Sequence, residues 1–336
     1  QKPGECAKST AVCSIDFTDF AGNQRPLIQS GETTNRLIMN PECLQYRLTP
    51  DQRDAFNKDG FLIVENALDE SMTARLIEVI DRVEARQRND ENRGRLLSVT
   101  NVIQEDNALV ELVSWPTTLP KVWGILGWNI YLYHSHLDVT PTENATAQNW
   151  SVAWHQDSMR VNDEIESDPR PRLSLKVGFY LTDLAESNGG NTLVVPGSHL
   201  QNRLDCPQDG QSSPAGTEPV CVPAGSAMIL DRRTWHSRSA NTSDKPRKVV
   251  WLGYSYRWMS PKDEMTVEHL YPNLSPIECQ LLGAGSANSA YDPQDEHVPL
   301  KTWLAEHDPA AAGDSPHGES HSRPPSMTRG HDTGRV

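Results

Sequence analysis

The chain has 336 residues, yet no apolar run in it approaches the roughly 18–20 residues of a membrane-spanning helix. Positive charge is also scarce. Lys and Arg number 31 against 45 Asp and Glu, a formal net charge of -14. That balance argues against nucleic acid or an anionic membrane as the main partner. It still allows an anionic small molecule in a locally basic pocket. Hydrophobic residues reach only 36%, which two polar tails dilute. The cysteines are Cys6, Cys13, Cys43, Cys206, Cys221 and Cys279, and none forms a C-x-x-C pair. Cys206 and Cys221 flank a Gly/Ser/Pro-rich stretch and would bridge only in an oxidising compartment. Free thiols in a cytoplasmic protein are expected instead. No internal repeat is evident. The sequence starts at Gln1 rather than Met, so a targeting segment ahead of it stays open.

Residues 1–46 lack sustained periodicity and read as an irregular arm. A helix start follows in Thr49-Pro50-Asp51-Gln52: a cap, Pro at the first helical position, and Gln three residues after the cap. Gly60 would end this helix, and Phe61-Leu62-Ile63-Val64 reads as a short buried strand. Met72, Leu76, Val79, Ile80 and Val83 form one apolar stripe at helical spacing, as on a scaffold helix covering a sheet. Residues 101–128 look helical or mixed, with Pro116 and Pro120 as breaks. From Asn129 onward, short apolar or alternating runs at 130–139, 151–157, 173–182, 192–195, 226–231 and 247–257 are separated by turn residues. Such punctuation predicts an all-β sandwich or barrel rather than a parallel βαβ sheet. From 305 to 336 the chain is rich in Gly, Ser, Pro and His and is expected to be disordered, leaving 47–304 as the folded domain. His317, His321 and His331 in that tail read as incidental.

The chemistry sits in a few positions. In Trp154-His155-Gln156-Asp157 the His and Asp are two apart, so on a strand both face one point. They supply two adjacent ligands of the two-histidine, one-carboxylate facial triad of non-haem Fe(II) oxygenases. By itself H-x-D is weak, since such a pair often only hydrogen-bonds in a core. A third ligand must come from another strand, and His236 follows the strand-like run 225–231. Arg247 lies eleven residues beyond His236 across a turn-rich stretch. If the strand after it pairs back on the His236 strand, its guanidinium lies near the metal. There it can hold a carboxylate bidentately.

Together, W-H-Q-D-S at 154–158, N-G-G-N-T-L-V-V-P-G-S-H at 188–199 and the spacing from His236 to Arg247 resemble the phytanoyl-CoA dioxygenase family. Thr49 to Asn66 resembles that family's N-terminal helix and first strand. The resemblance covers about residues 48–260. It implies a mainly β fold, a double-stranded β-helix (jelly-roll, cupin-like) core with flanking helices. It also implies Fe(II), 2-oxoglutarate and O2 as reaction partners, and hydroxylation of a small-molecule C–H bond with release of succinate and CO2. By position, His155, Asp157 and His236 match the iron ligands, and Arg247 matches the 2-oxoglutarate arginine. The chain departs from the pattern at Arg238, where many members carry a Ser that helps bind 2-oxoglutarate. Ser158 is the expected substitute. Related halogenases replace the carboxylate by Gly or Ala, so Asp157 favours hydroxylation.

In the run 133–138, alternation puts His134, His136 and Asp138 on one face, where they line the pocket or serve as sheet hydrogen bonds. Arg160 and Lys176 either supply charge to the pocket or form exposed salt bridges. Trp154, Trp235 and Trp258 either wall it or pack in the core. The competing readings are a metal-dependent cupin-type dioxygenase without 2-oxoglutarate and a non-catalytic jelly-roll binding module. The first has no need for Arg247. The second has no need for the whole set.

Overall fold

The computed structural model describes residues 39–143, 151–264, 266–285, 287–291, 293 and 298–313. Most of the expected arm and tail, with Cys6, Cys13, His317, His321 and His331, lies outside the described residues. At its edges, the folded part extends further than the sequence suggested. A 3-10 turn at Pro41–Tyr46, capped by Asn40, buries Cys43 in the core. The last helix, Pro299–His307 (α8 below), crosses the expected boundary at 305. It packs Leu300, Trp303 and Leu304 inside, and Asp308 pairs with Arg47 at 3.2 Å.

Helix α1 (Pro50–Asp59) begins as its residues predict. Thr49 accepts from the Gln52 amide, and the Gln52 side chain accepts from the Thr49 amide. It stops at Gly60, whose φ of 84° suits a residue without Cβ. A Cβ there would lie 2.4 Å from the Thr234 hydroxyl, so this turn is also pressed against the loop that leads to His236. Strand β1 (Phe61–Val64) follows, then α2 (Glu70–Gln87), which buries the whole stripe Met72, Leu76, Val79, Ile80 and Val83. The chain continues through β2 (Leu97–Thr100), α3 (Asn107–Val113) and α4 (Leu119–Leu126). Pro120 starts α4 rather than breaking a helix, because the first turn has no partner for an amide N–H.

The remaining elements are β3 (Ile130–Thr140), α5 (Met159–Glu164), β4 (Ser174–Tyr180), β5 (Thr192–Val194), β6 (Glu218–Pro219), β7 (Ala227–Asp231), β8 (His236–Arg238), β9 (Arg247–Tyr256), α6 (Pro276–Leu281), α7 (Ala287–Tyr291) and α8. Two antiparallel sheets result. The larger has strand order β1-β7-β4-β9-β3-β2, the smaller β6-β5-β8. The larger sheet divides its side chains by alternation. Leu175, Val177, Phe179, Ala227, Ile229, Val250 and Leu252 join the core that also holds the apolar faces of α2, α3 and α4. Tyr180, Met228, Leu230, Val249 and Trp251 join a second cluster with Val194, Val220 and Val222. This second cluster lies between the sheets, and the polar site occupies its open end.

Candidate active site

The segment 151–157, expected as a strand, is extended but makes only an isolated bridge with the smaller sheet. His155 and His236 exchange both main-chain hydrogen bonds, at 3.1 and 3.0 Å. Strand β8 is three residues long, so the pairing cannot extend. Neighbouring amides go elsewhere: Asp157 to the Arg232 carbonyl, and Ala153 to the Ser237 hydroxyl. One bridge suffices to set the imidazoles side by side, with ring centroids 4.3 Å apart. One ligand atom from each of His155, Asp157 and His236 lies within 4.8 Å of the others.

Each of these residues has one polar atom held and one free. His155 Nδ1 lies 2.9 Å from the Ala153 carbonyl, and His236 Nδ1 lies 2.9 Å from the Thr234 carbonyl. A carbonyl only accepts, so both Nδ1 atoms carry the proton and both Nε2 lone pairs are left for a metal. Lys176 Nζ donates to Asp157 Oδ1 at 2.8 Å, while the buried Oδ2 has no partner among the described residues. This donor set suits a divalent metal. Burial pushes the Asp157 carboxyl up, but the Lys176 ammonium and the two imidazoles outweigh it and hold the carboxyl well below the usual range. Burial, reinforced by His155, lowers His236 to about 3 and keeps its ring neutral.

Two cavities open on this cluster. The smaller, about 250 Å³, contains Arg247, Thr192, His136, Asp138, Lys176 and Trp251. Arg247 is 3% exposed and donates through Nη2 to the Thr192 hydroxyl at 3.1 Å. Among the described residues, its Nε and Nη1 are buried without a hydrogen-bond partner. Leaving buried guanidinium donors unused is costly, so these two point to an anionic guest. Strand β9 does not pair with β8, the condition under which the sequence set Arg247 near the metal. It runs between β4 and β3 in the larger sheet, so Arg247 reaches the site from the opposite layer. The position where the family resemblance leads one to expect Ser holds Arg238. It forms a fork with Glu143 at 2.7 and 3.1 Å beside the same cavity.

The larger cavity, about 620 Å³, shares His136, His155 and Lys176 with the first and adds Asp157, Tyr133 and His134. Ser158 lies on this cavity and not on the Arg247 side. Its left-handed φ of 64° begins α5. The hydroxyl that meets Arg247 belongs to Thr192. Strand β3 behaves as alternation predicts beyond an irregularity at Leu132/His134, pairing His134, His136 and Asp138 with Gly253, Trp251 and Val249. His134 Nδ1 is fixed 2.5 Å from buried Asp263. His136 stacks on Trp251 at 6.1 Å, and burial lowers it to about 3. Asp138 lies 3.9 Å from His136 Nε2. Arg160 lies at the rim in an exposed pair with Glu164, at 2.8 Å. Trp258 is 38% exposed and lies off both cavities.

Two supporting residues escaped the sequence, and for a third, Lys176, the structure decides between the two expected roles. Lys176 is not an exposed ion pair: its side chain is 12% exposed and lies 5.7 Å from the Trp251 ring centroid. Gly178 makes that possible, because a Cβ there would come within 2.4 Å of the Trp251 ring. The only available signal was a lone Lys in an apolar strand. Arg232, fully buried, donates to Asn162 Oδ1 at 2.7 Å, and Asn162 Nδ2 donates to the Asp157 carbonyl at 2.9 Å. These two have no local pattern. Cys206 and Cys221 are unbridged.

Comparison with known proteins agrees with this geometry. Residues 56–249, more than half of the chain, match the family described as "Phytanoyl-CoA dioxygenase (PhyH)". An ectoine dioxygenase of Bordetella parapertussis is 28% identical over 244 residues, covering 62% of this chain and 75% of its own. An L-proline trans-4-hydroxylase of Streptomyces griseoviridis is 22% identical over 240 residues, covering 61% and 85%. The structure of HygX from Streptomyces hygroscopicus, with nickel, 2-oxoglutarate and hygromycin B bound, shares the fold. Its TM-score is 0.53 at 15% identity, over 64% of this chain and 90% of that one. A two-sheet β core with flanking helices, a His-Asp-His cluster and these relatives agree: the chain belongs to the phytanoyl-CoA dioxygenase family and is an Fe(II)- and 2-oxoglutarate-dependent dioxygenase.

Proposed function

We propose that this enzyme hydroxylates a C–H bond of a small molecule seated in the larger cavity. His155, Asp157 and His236 hold the iron, and Arg247 holds the distal carboxylate of 2-oxoglutarate. The carrying observation is the pattern of free atoms among the described residues. One ligand atom from each of His155, Asp157 and His236 converges, Asp157 Oδ2 has no partner, and two guanidinium nitrogens without partners belong to Arg247 on the adjoining cavity. When bound, iron and 2-oxoglutarate supply O2 activation, with release of succinate and CO2.

The chain's own residues then have distinct tasks. The main-chain carbonyls of Ala153 and Thr234 orient the imidazoles. Thr192 orients Arg247. Val249, Trp251 and Tyr180 keep water from the sheet side of the site. Small polar compounds such as ectoine and proline, named for two relatives, fit within a cavity of about 620 Å³ and leave room for larger ones. The Arg247 cavity favours a 2-oxo acid enzyme over a cupin-type dioxygenase that needs no such clamp. The test is anaerobic addition of Fe(II) and 2-oxoglutarate, followed by the weak visible charge-transfer band of the chelate. Wild type should form it. Arg247→Ala should need at least about 30-fold more 2-oxoglutarate, as expected when a buried charge loses its partner. No band in wild type, or an unchanged affinity in Arg247→Ala, refutes this function.

A further inference from the structure

Lys176 is set in the middle of the larger sheet, on the strand between β7 and β9. Lys176 lines both cavities, and among the described residues its one hydrogen bond goes to Asp157 Oδ1. The carbonyls that orient the two imidazoles carry no net charge, whereas the group that orients Asp157 carries a full one. Around the smaller cavity, Asp138, Asp157 and Glu143 stand against Lys176, Arg238 and Arg247. With neutral imidazoles these groups balance. A divalent metal alone would therefore leave two uncompensated positive charges in a buried place, where charge is expensive. A dianion removes them both.

Given the metal and cosubstrate site proposed above, we propose that Lys176 is a positioning residue that couples the two: by cancelling the charge of Asp157 it weakens capture of the bare metal and makes firm binding depend on the dianionic cosubstrate. A lysine with no such role would only orient the carboxylate, and its loss would weaken metal binding. The two possibilities differ in sign. Under the coupling role, an Asp157 freed of its counter-charge attracts the bare metal more strongly, and the dianion gains less from a site with one positive charge fewer. Coupling free energies are reciprocal, so the same factor is read from either ligand.

The experiment titrates Co(II) into the purified full chain by calorimetry, with and without saturating 2-oxoglutarate, for wild type and three variants. Lys176→Gln keeps an N–H donor without charge, Lys176→Met matches the shape, and Lys176→Arg keeps the charge. Either neutral variant carries the test if the other fails to fold. The neutral variants should bind Co(II) alone about tenfold tighter than wild type, and the enhancement by 2-oxoglutarate should fall about tenfold, within the usual range of coupling between sites. Lys176→Arg should keep most of the enhancement. If the neutral variants bind Co(II) alone no better than wild type, or the enhancement is unchanged, Lys176 only orients Asp157 and the proposal is overturned. If 2-oxoglutarate fails to enhance Co(II) binding in wild type, the cosubstrate reading falls as well, and that result separates the two.

Discussion

The two sheets contribute to the site in opposite ways. The smaller sheet has strands of two or three residues, and with the segment bridged to it supplies the histidines. Its imidazoles are aimed by main-chain carbonyls two residues away. The larger sheet has strands of up to eleven residues and supplies Lys176 and Arg247. Lys176 lies against the Trp251 ring of β9, and Arg247 against the Tyr180 ring of β4. Short irregular backbone places ligands accurately because local hydrogen bonds fix each ring. Only a broad, rigid sheet can hold charges in a buried setting, because many contacts must offset their lost hydration.

This contrast can be broken from either side. The largest effect should come from the smaller sheet. His236→Ala should abolish turnover and weaken Co(II) binding beyond the roughly 100-fold that loss of an outer partner costs. A small shift in thermal midpoint alongside that loss, measured by calorimetry, would agree with a ligand that carries little of the fold. Leu252→Ala on the helix-facing side of β9 should do the reverse. This side chain is fully buried, so denaturant unfolding should show a loss of about 2–5 kcal/mol. Co(II) affinity of the folded fraction should stay unchanged. A large loss of metal affinity would show that the two sheets are not separable in this way.

Acid should act through the larger sheet. Asp231, buried on β7, is paired with Arg172 and Arg233 at 2.7 Å each. Burial pushes its carboxyl up, but the two guanidinium groups outweigh that and depress it. A depressed folded value contributes stability that is present above the unfolded value of about 3.9 and is lost as pH falls through the folded one. Urea unfolding should therefore lose stability below about pH 4. In Asp231→Asn, already weaker at neutral pH, that part of the slope should disappear. The smallest effect should come from Thr192→Val, which removes one hydroxyl from Arg247. The KM for 2-oxoglutarate should rise about fivefold, the worth of one hydrogen bond of about 1 kcal/mol, with metal binding unchanged.

Local signals were readable where one short segment settles the outcome. The Thr49 cap, the Gly60 stop and the α2 stripe depend on neighbours within a turn or two, and all appear in the structure. The strands at 130–140, 174–180 and 227–231 were legible from alternation and turn residues. Pairing was not. Nothing near Arg247 says that β9 joins β4 and β3 rather than β8, because strand partners are chosen by packing between distant segments. Lys176 was left between pocket charge and exposed salt bridge for the same reason: its burial depends on the Trp251 ring, which Gly178 lets lie over the strand. Arg232 and Asn162, which hold the main chain at Asp157, are 70 residues apart in sequence.

The sequence by itself determined the ligand types, their spacing and the resemblance that ties them to iron and 2-oxoglutarate, because those properties reside in side-chain chemistry and short-range geometry. Only the tertiary structure decided which atoms are free. Carbonyls two residues away tie up both Nδ1 atoms, Lys176 occupies one oxygen of Asp157, and two buried nitrogens of Arg247 have no partner among the described residues. Whether a polar atom is satisfied depends on everything packed around it, and that is fixed only when the two sheets close.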